Sequence, residues 1–164
     1  MRVTFEDVLN RTYTTLFTDY KLDNLIQIDK QAFYTFLGGF LVNSIDMFNG
    51  TLTDLSYHEE TKEIEKDDGS VEQVKEYVFD SDLTSSEVYI LCLGVALGWY
   101  KKALDDVTQF KLHLSTKDFR SFSESANISK RLERLGAMEE ELSEKIQQYQ
   151  LNNLNKLPFF SGGV

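Results

Sequence analysis

The clearest hydrophobic pattern in the chain lies between residues 29 and 49. Apolar and small side chains recur there at intervals of three and four residues, which is the spacing of one face of an α-helix. The members of this face are Phe33, Phe36, Leu37, Phe40, Leu41, Ser44, Ile45 and Phe48. The pattern predicts a helix from about residue 29 to residue 49.

Two adjacent glycines, Gly38 and Gly39, fall in the middle of this predicted helix. Each glycine costs a helix about 1 kcal/mol relative to alanine. We therefore expect another backbone to pack closely against this point. A phosphate-binding loop is disfavoured, because its glycines lie between a strand and the start of a helix.

The longest apolar run covers residues 89–100 and ends with an aromatic pair, Trp99 and Tyr100. It is preceded by Thr84 and Glu87, which have the spacing of a capping box at the start of a helix. Because apolar residues occupy nearly every side of this predicted helix, we predict that it is the central element of the core. The run is shorter than the roughly 20 residues that a membrane span requires.

Two further helices are predicted at the ends of the chain. Residues 4–18 begin with Thr4 as a helix cap and carry Glu6 and Asp7 in the first turn, where acidic groups favour a helix. Residues 124–152 show a narrow apolar seam with a spacing near 3.5 residues. The seam consists of Ile128, Leu132, Leu135, Leu142, Ile146 and Tyr149.

Charges on the predicted fourth helix run against the helix dipole. Cations lie in its early part and glutamates, including Glu139 and Glu144, in its later part, which is the opposite of what the dipole favours. Either groups outside the helix pair with these charges, or they form a solvated face with weak surface pairs. The narrow seam predicts packing against one or two helices, which can belong to this chain or to another subunit.

Between residues 51 and 82 the pattern changes to alternation and charged residues become frequent. The sequence from Asp67 to Ser70 supplies a turn, so we predict an inserted β-hairpin at about residues 53–80. We expect Ile64 to face Val74, because that register also brings opposite charges together. Its charge pairs are Lys62 with Glu76, Glu63 with Lys75, and Lys66 with Glu72.

The predicted fold class is therefore mainly α. It is a small bundle of about four helices with an inserted β-hairpin and a flexible C-terminal tail. Residues 1–154 form one domain, in keeping with the chain length of 164 residues. In the tail, residues 155–164, Pro158 ends the helix and leaves Phe159 and Phe160 exposed. These rings either fold back onto the body or anchor in a partner.

Composition narrows the range of functions. The 27 acidic residues outnumber 17 Lys and Arg, for a formal charge of −10. Sequence-specific nucleic-acid binding is disfavoured, because its affinity comes largely from cationic side chains. An acidic surface still suits a wall along which nucleic acid slides, although solubility alone also explains it. The single cysteine, Cys92, predicts a buried thiol in a reducing compartment.

Candidate catalytic chemistry is sparse. The two histidines, His58 and His113, have no second His or Cys at ligand spacing, so no metal site is predicted. Neither a nucleophile elbow nor a nucleotide-binding glycine pattern occurs. Adjacent carboxylates such as Asp105 and Asp106 need unlike environments before they act as acid and base. We predict a protein that is not an enzyme and that has no cofactor, with neither export nor a membrane anchor.

The segment 114–127 resembles a family of small proteins of tailed bacteriophages. The resemblance is carried by Lys117-Asp118-Phe119, then Phe122-Ser123, then Ala126-Asn127, followed by a charged helix that ends near Tyr149. It extends more loosely to residues 84–102 and to the N-terminal helix, about two-thirds of the chain. Residues 124–127 are one residue longer than the family pattern.

This resemblance implies a structural virion protein of the head-to-tail connector, also called the adaptor or neck. Such a subunit is expected to form a homo-oligomeric ring beneath the portal and to bind portal and tail-completion proteins. DNA would pass through an acidic lumen, and assembly would take place in the host cytoplasm.

The expected interaction residues lie on the hairpin turn, the fourth helix and the tail. They are Asp67, Asp68, Gly69, Arg131, Arg134, Leu157, Phe159 and Phe160. The same features would also serve another tail or baseplate component, or a cytoplasmic helical module that binds proteins.

Overall fold

The computed structural model describes residues 2–17, 30–48, 51–65, 69–114 and 122–154. Within these residues the chain is mainly helical, with four helices and one two-stranded antiparallel hairpin, which confirms the predicted fold class. The predicted tail lies outside the described residues. The elements in chain order are α1 (Phe5–Leu16), α2 (Lys30–Met47), β1 (Tyr57–Glu65), β2 (Val71–Phe79), α3 (Ser85–Leu114) and α4 (Phe122–Asn152).

Helix α3 is the centre of the core, as its apolar run predicts. It packs against three other helices, α1, α2 and α4. Leu91, Cys92 and Val95 are fully buried, and the Cys92 thiol donates a hydrogen bond to the Val8 carbonyl oxygen at 3.5 Å. Among the described residues no helix combines the length and apolarity needed to cross a membrane.

Both predicted helix caps are present. The Thr4 side chain accepts a hydrogen bond from the Asp7 backbone N–H at 3.1 Å, and the Asp7 carboxylate accepts one from the Thr4 N–H at 3.0 Å. Thr84 and Glu87 make the same reciprocal pair at the start of α3, at 3.3 and 2.7 Å. Each box satisfies two backbone donors that a helix N-terminus leaves open.

The prediction of close backbone packing at Gly38 and Gly39 is wrong. Apart from the neighbouring residues and the helix's own backbone, no described atom lies within 4 Å of a Cβ placed at either position. The close approach occurs instead at Gly94 of α3, where a Cβ would lie 2.0 Å from the Ser44 hydroxyl of α2, and at Gly98, where it would meet the Phe40 ring at 2.8 Å. Helices α2 and α3 therefore approach closely through the glycines of α3.

Helix α4 packs on α3 through the later part of its predicted seam. Leu142 and Tyr149 are buried. Met138, which lies between Leu135 and Leu142 of the seam, is buried as well. Leu132, in the earlier part of the seam, is 51% exposed in the single chain. The side chain of Ile128 lies outside the described residues.

Several α4 charges pair with other helices of the same chain. Arg134 donates a hydrogen bond to the carbonyl oxygen of Leu16 at 3.3 Å, at the C-terminal end of α1. Because α1 has no basic residue in its last turn, Arg134 supplies the cation that the helix dipole favours there. Lys101 of α3 forms an ion pair with Glu139 at 2.7 Å.

The hairpin is present within the predicted range, but its register differs by two residues. Lys62 faces Val74 and Ile64 faces Glu72, instead of Ile64 facing Val74. A shift of two residues leaves every side chain on its predicted face, since the side-chain period of a strand is two. The predicted ion pair of Lys62 with Glu76 still forms across the diagonal.

Candidate protein-interaction groove

A groove of about 610 Å³ lies between the hairpin, α1 and the outer side of α2. Aromatic rings from all three elements line it, together with the backbone of the two α2 glycines. The lining rings are Phe5, Tyr34, Tyr57 and Tyr77, and the glycines are Gly38 and Gly39. We call this feature the hairpin groove.

The groove follows from the two sides of α2. One side packs on α3 through buried residues that include Phe33, Leu37 and Leu41. A second stripe at helical spacing, from Gln31 to Val42, faces the groove instead. Gly38 and Gly39 belong to this stripe, so their missing side chains leave the α2 backbone open to the groove.

Phe5 at the start of α1 holds the base of the hairpin against the bundle. Its ring centre lies 4.7 Å from that of Tyr57, 5.2 Å from that of Phe79 and 5.4 Å from that of Tyr77. These distances are within the range of favourable aromatic contacts. The Phe79 N–H also donates to the Val3 carbonyl oxygen at 3.0 Å, which extends the sheet by one short N-terminal bridge.

The polar wall of the groove is made of paired charges from the hairpin. Lys62 is paired with Glu76, and Lys75 with Glu59 at 2.5 Å. The hydrogen bond to Glu76 is the main cause that raises the pKa of Lys62. The groove therefore has an apolar floor and a charged rim, a combination that is typical of protein interfaces.

His58 lies at the hairpin base between two carboxylates. Its Nδ1 is 2.5 Å from Asp80 and its Nε2 is 2.9 Å from Glu60. The hydrogen bond with Asp80, followed by that with Glu60, raises the pKa of His58 above its usual value near 6.5. The protonated His58 ring therefore contributes to the stability of the folded protein. This contribution is fully present below about pH 6.5, and it is lost as the pH rises through the folded-state pKa.

We accordingly expect the NMR signals of the His58 ring to titrate above pH 6.5 in the folded protein. His58→Gln should reduce the loss of stability that urea unfolding detects on going from about pH 6 to about pH 9. His113→Gln serves as the matched histidine control. A His58 ring that titrates at or below the value of an unfolded histidine would contradict the expectation.

Of the predicted interaction residues three are described, and they lie on two different parts of the chain, the hairpin end and α4. Gly69 is exposed at the hairpin end with a φ of +79°, which is a conformation that glycine adopts without strain. Arg131 and Arg134 are exposed on α4. Asp67, Asp68, Leu157, Phe159 and Phe160 lie outside the described residues.

The hairpin groove was not predicted from the sequence. One available signal was that α2 carries no charged residue between Gln31 and Ile45. A helix that packs through one side only normally has charges on the other. The uncharged outer side thus indicates a second surface to be covered.

Comparisons with known proteins found no similar protein. No family model matches the chain, and neither the curated proteins nor the solved structures contain a match.

Proposed function

We propose that the chain is a structural virion protein, one subunit of a ring-shaped head-to-tail connector of a tailed bacteriophage. It binds copies of itself, the portal protein and tail-completion proteins. It acts by burying surface against these neighbours and transforms no substrate. The resemblance of residues 114–127 to the adaptor family supports the phage assignment, and the geometry of the hairpin supports a docking role.

The observation that carries the docking role is the uneven burial of the hairpin. Val78 and Phe79 at its base are buried, whereas Val71 at its outer end is 61% exposed. Among the described residues the sheet consists of the two hairpin strands only. The isolated bridge between Thr4 and Val78 lies at the base of the hairpin, and the outer half extends beyond it. A two-stranded hairpin by itself is marginally stable in water. Its outer half is therefore suited to being covered by another chain.

The hairpin groove adds a concave surface beside that outer half. Its volume is about 610 Å³. Tyr77 is 45% exposed there, and tyrosine is among the residues enriched at interfaces. Together the outer hairpin and the groove offer one continuous docking surface.

The test is assembly with the portal and tail-completion proteins encoded beside this chain. Mass photometry of the mixture should show a discrete complex with several copies, and electron microscopy should show a closed ring. Tyr77→Ala should lower the assembled fraction several-fold, because it removes an exposed ring from the docking surface. Leu151→Ala removes an even more exposed apolar side chain, 65% exposed, at the far end of α4 and should have no effect.

A chain that remains monomeric with all of these partners would refute the connector function. Assembly with tail or baseplate proteins, but not with the portal, would instead place the chain elsewhere in the virion.

A further inference from the structure

The charge of the chain is concentrated in the hairpin region. Residues 51–82 contain 11 Asp and Glu against 3 Lys, which gives −8 of the total −10. Two copies that met through their hairpins would therefore repel each other. A contact between copies that uses the hairpin is therefore favoured when it brings the hairpin to a surface of opposite sign.

Such a surface lies in the first part of α4. Residues 129–136 contain three cations and one acid. The described side chains of Lys130, Arg131 and Arg134 are exposed. Between them lies Leu132, which belongs to the packing seam but is 51% exposed. This segment therefore combines positive charge with an apolar side chain that is half exposed.

The hairpin groove is complementary to this segment in both respects. Its floor is uncharged and partly bare backbone at Gly38 and Gly39. Its rim carries the carboxylates of Glu6, Glu59 and Glu76 together with Lys62 and Lys75. Further carboxylates of the hairpin, such as the exposed Glu63, lie farther along β1. An apolar side chain can enter the groove while adjacent cations reach the hairpin carboxylates.

The two surfaces lie toward different ends of α1. Phe5 and Leu9 line the groove near the N-terminal end of α1, whereas Arg134 bonds Leu16 at its C-terminal end. The 12 residues of α1 span about 18 Å. A contact between two such different surfaces repeats from copy to copy and produces a ring if the rotation closes.

We infer that the hairpin groove of one copy binds the first part of α4 of a second copy, with Leu132 on the glycine floor and Lys130 and Arg131 against the hairpin carboxylates. The inference rests on the proposed ring function and names the contact that builds the ring. It is electrostatic in part, so added salt should weaken it.

Two variants separate the two sides of this contact. Lys130→Ala/Arg131→Ala/Leu132→Ala removes the α4 surface. Gly39→Trp fills the groove, and it should fold because a Cβ at this helical position meets no described atom within 4 Å apart from the neighbouring residues and the helix's own backbone. Matched controls are Lys145→Ala/Leu151→Ala on the later part of α4 and Gly39→Ala in the groove. Circular dichroism and thermal unfolding check that each variant is folded.

Native mass spectrometry of the chain alone gives the readout. We expect the unmodified chain and both controls to form oligomers whose fraction falls as the salt concentration rises. Each of the two variants alone should be monomeric. Their mixture should form a 1:1 dimer and nothing larger, because only the intact groove of one and the intact α4 of the other can join.

Two outcomes would overturn the inference. One is that both variants still assemble as the unmodified chain does, which leaves the connector function intact but places the contact elsewhere. The other is that the unmodified chain is monomeric by itself at every concentration. In that case copies of the chain do not make this contact by themselves. The connector function is then tested by the mixture with the portal protein.

Discussion

Replacing Glu87 by alanine is expected to destabilise the protein by about 3 kcal/mol, because it leaves the buried Tyr149 hydroxyl and the partly buried Thr84 N–H without their acceptor. Glu87 is fully buried. Its carboxylate accepts hydrogen bonds from the Thr84 N–H at 2.7 Å and from the Tyr149 hydroxyl at 2.6 Å. The residue therefore joins the N-terminus of α3 to the C-terminal part of α4. Urea unfolding measures the change.

Tyr149→Phe is the control. It removes the hydrogen bond to Glu87 and the one that the Tyr149 hydroxyl accepts from the Leu52 N–H at 3.1 Å, and it keeps the ring beside Phe48. The ring centres of Phe48 and Tyr149 are 5.3 Å apart. We expect a loss of about 1 kcal/mol for this variant. Equal losses in the two variants would mean that the capping function of Glu87 contributes nothing.

The Glu87 variant should also change how stability depends on pH. Burial raises the pKa of this carboxyl, but the hydrogen bonds from Thr53, Tyr149 and Thr84 together outweigh it, so the pKa is lowered. Because its folded-state pKa is lowered, ionised Glu87 stabilises the protein at pH values above the pKa of an unfolded glutamate, about 4.3. This contribution is lost as the pH falls through the folded-state value. Glu87→Ala should therefore lose less stability than the unmodified protein below about pH 4.3.

Gly94→Ala is expected to destabilise the protein by about 2 kcal/mol through overpacking. A Cβ at this position would lie 2.0 Å from the Ser44 hydroxyl oxygen and 2.8 Å from the Ser44 Cβ. The Ser44 hydroxyl donates a buried hydrogen bond to the Leu91 carbonyl oxygen at 3.1 Å. The serine cannot move aside without losing this bond, so α2 and α3 must separate.

Gly39→Ala is the matched control, because the same change is made inside a helix with open space around it. There it should stabilise the protein by up to about 1 kcal/mol, since alanine favours a helix over glycine. Urea unfolding of the two variants should therefore give changes of opposite sign. A stabilising effect of Gly94→Ala would show that the contact between α2 and α3 is looser than the structure indicates.

The glycines explain why the candidate site was missed. A glycine inside a helix indicates either a close approach or an open surface, and the sequence does not distinguish the two. At Gly94 the missing Cβ makes room for Ser44, while at Gly39 it exposes backbone to the hairpin groove. Only the position of a neighbouring element decides which applies.

The hairpin register illustrates a second limit. The predicted and observed registers differ by two residues and share the Lys62–Glu76 ion pair. Charge agreement cannot separate them, because long side chains reach both directly opposite and diagonal partners. The anchoring of Phe79 on Phe5 and Val3 fixes the base of β2, and it involves a segment more than fifty residues earlier in the chain.

Local signals in the sequence determined the helices, both capping boxes, the hairpin and the burial of Cys92. Each of these depends on periodicity or on residues within one turn of each other, such as Thr84 and Glu87. Tertiary structure alone decided the hairpin groove, the buried bond from Tyr149 to Glu87 and the exposure of Leu132. These features join residues far apart in the chain, and their positions depend on how whole helices pack.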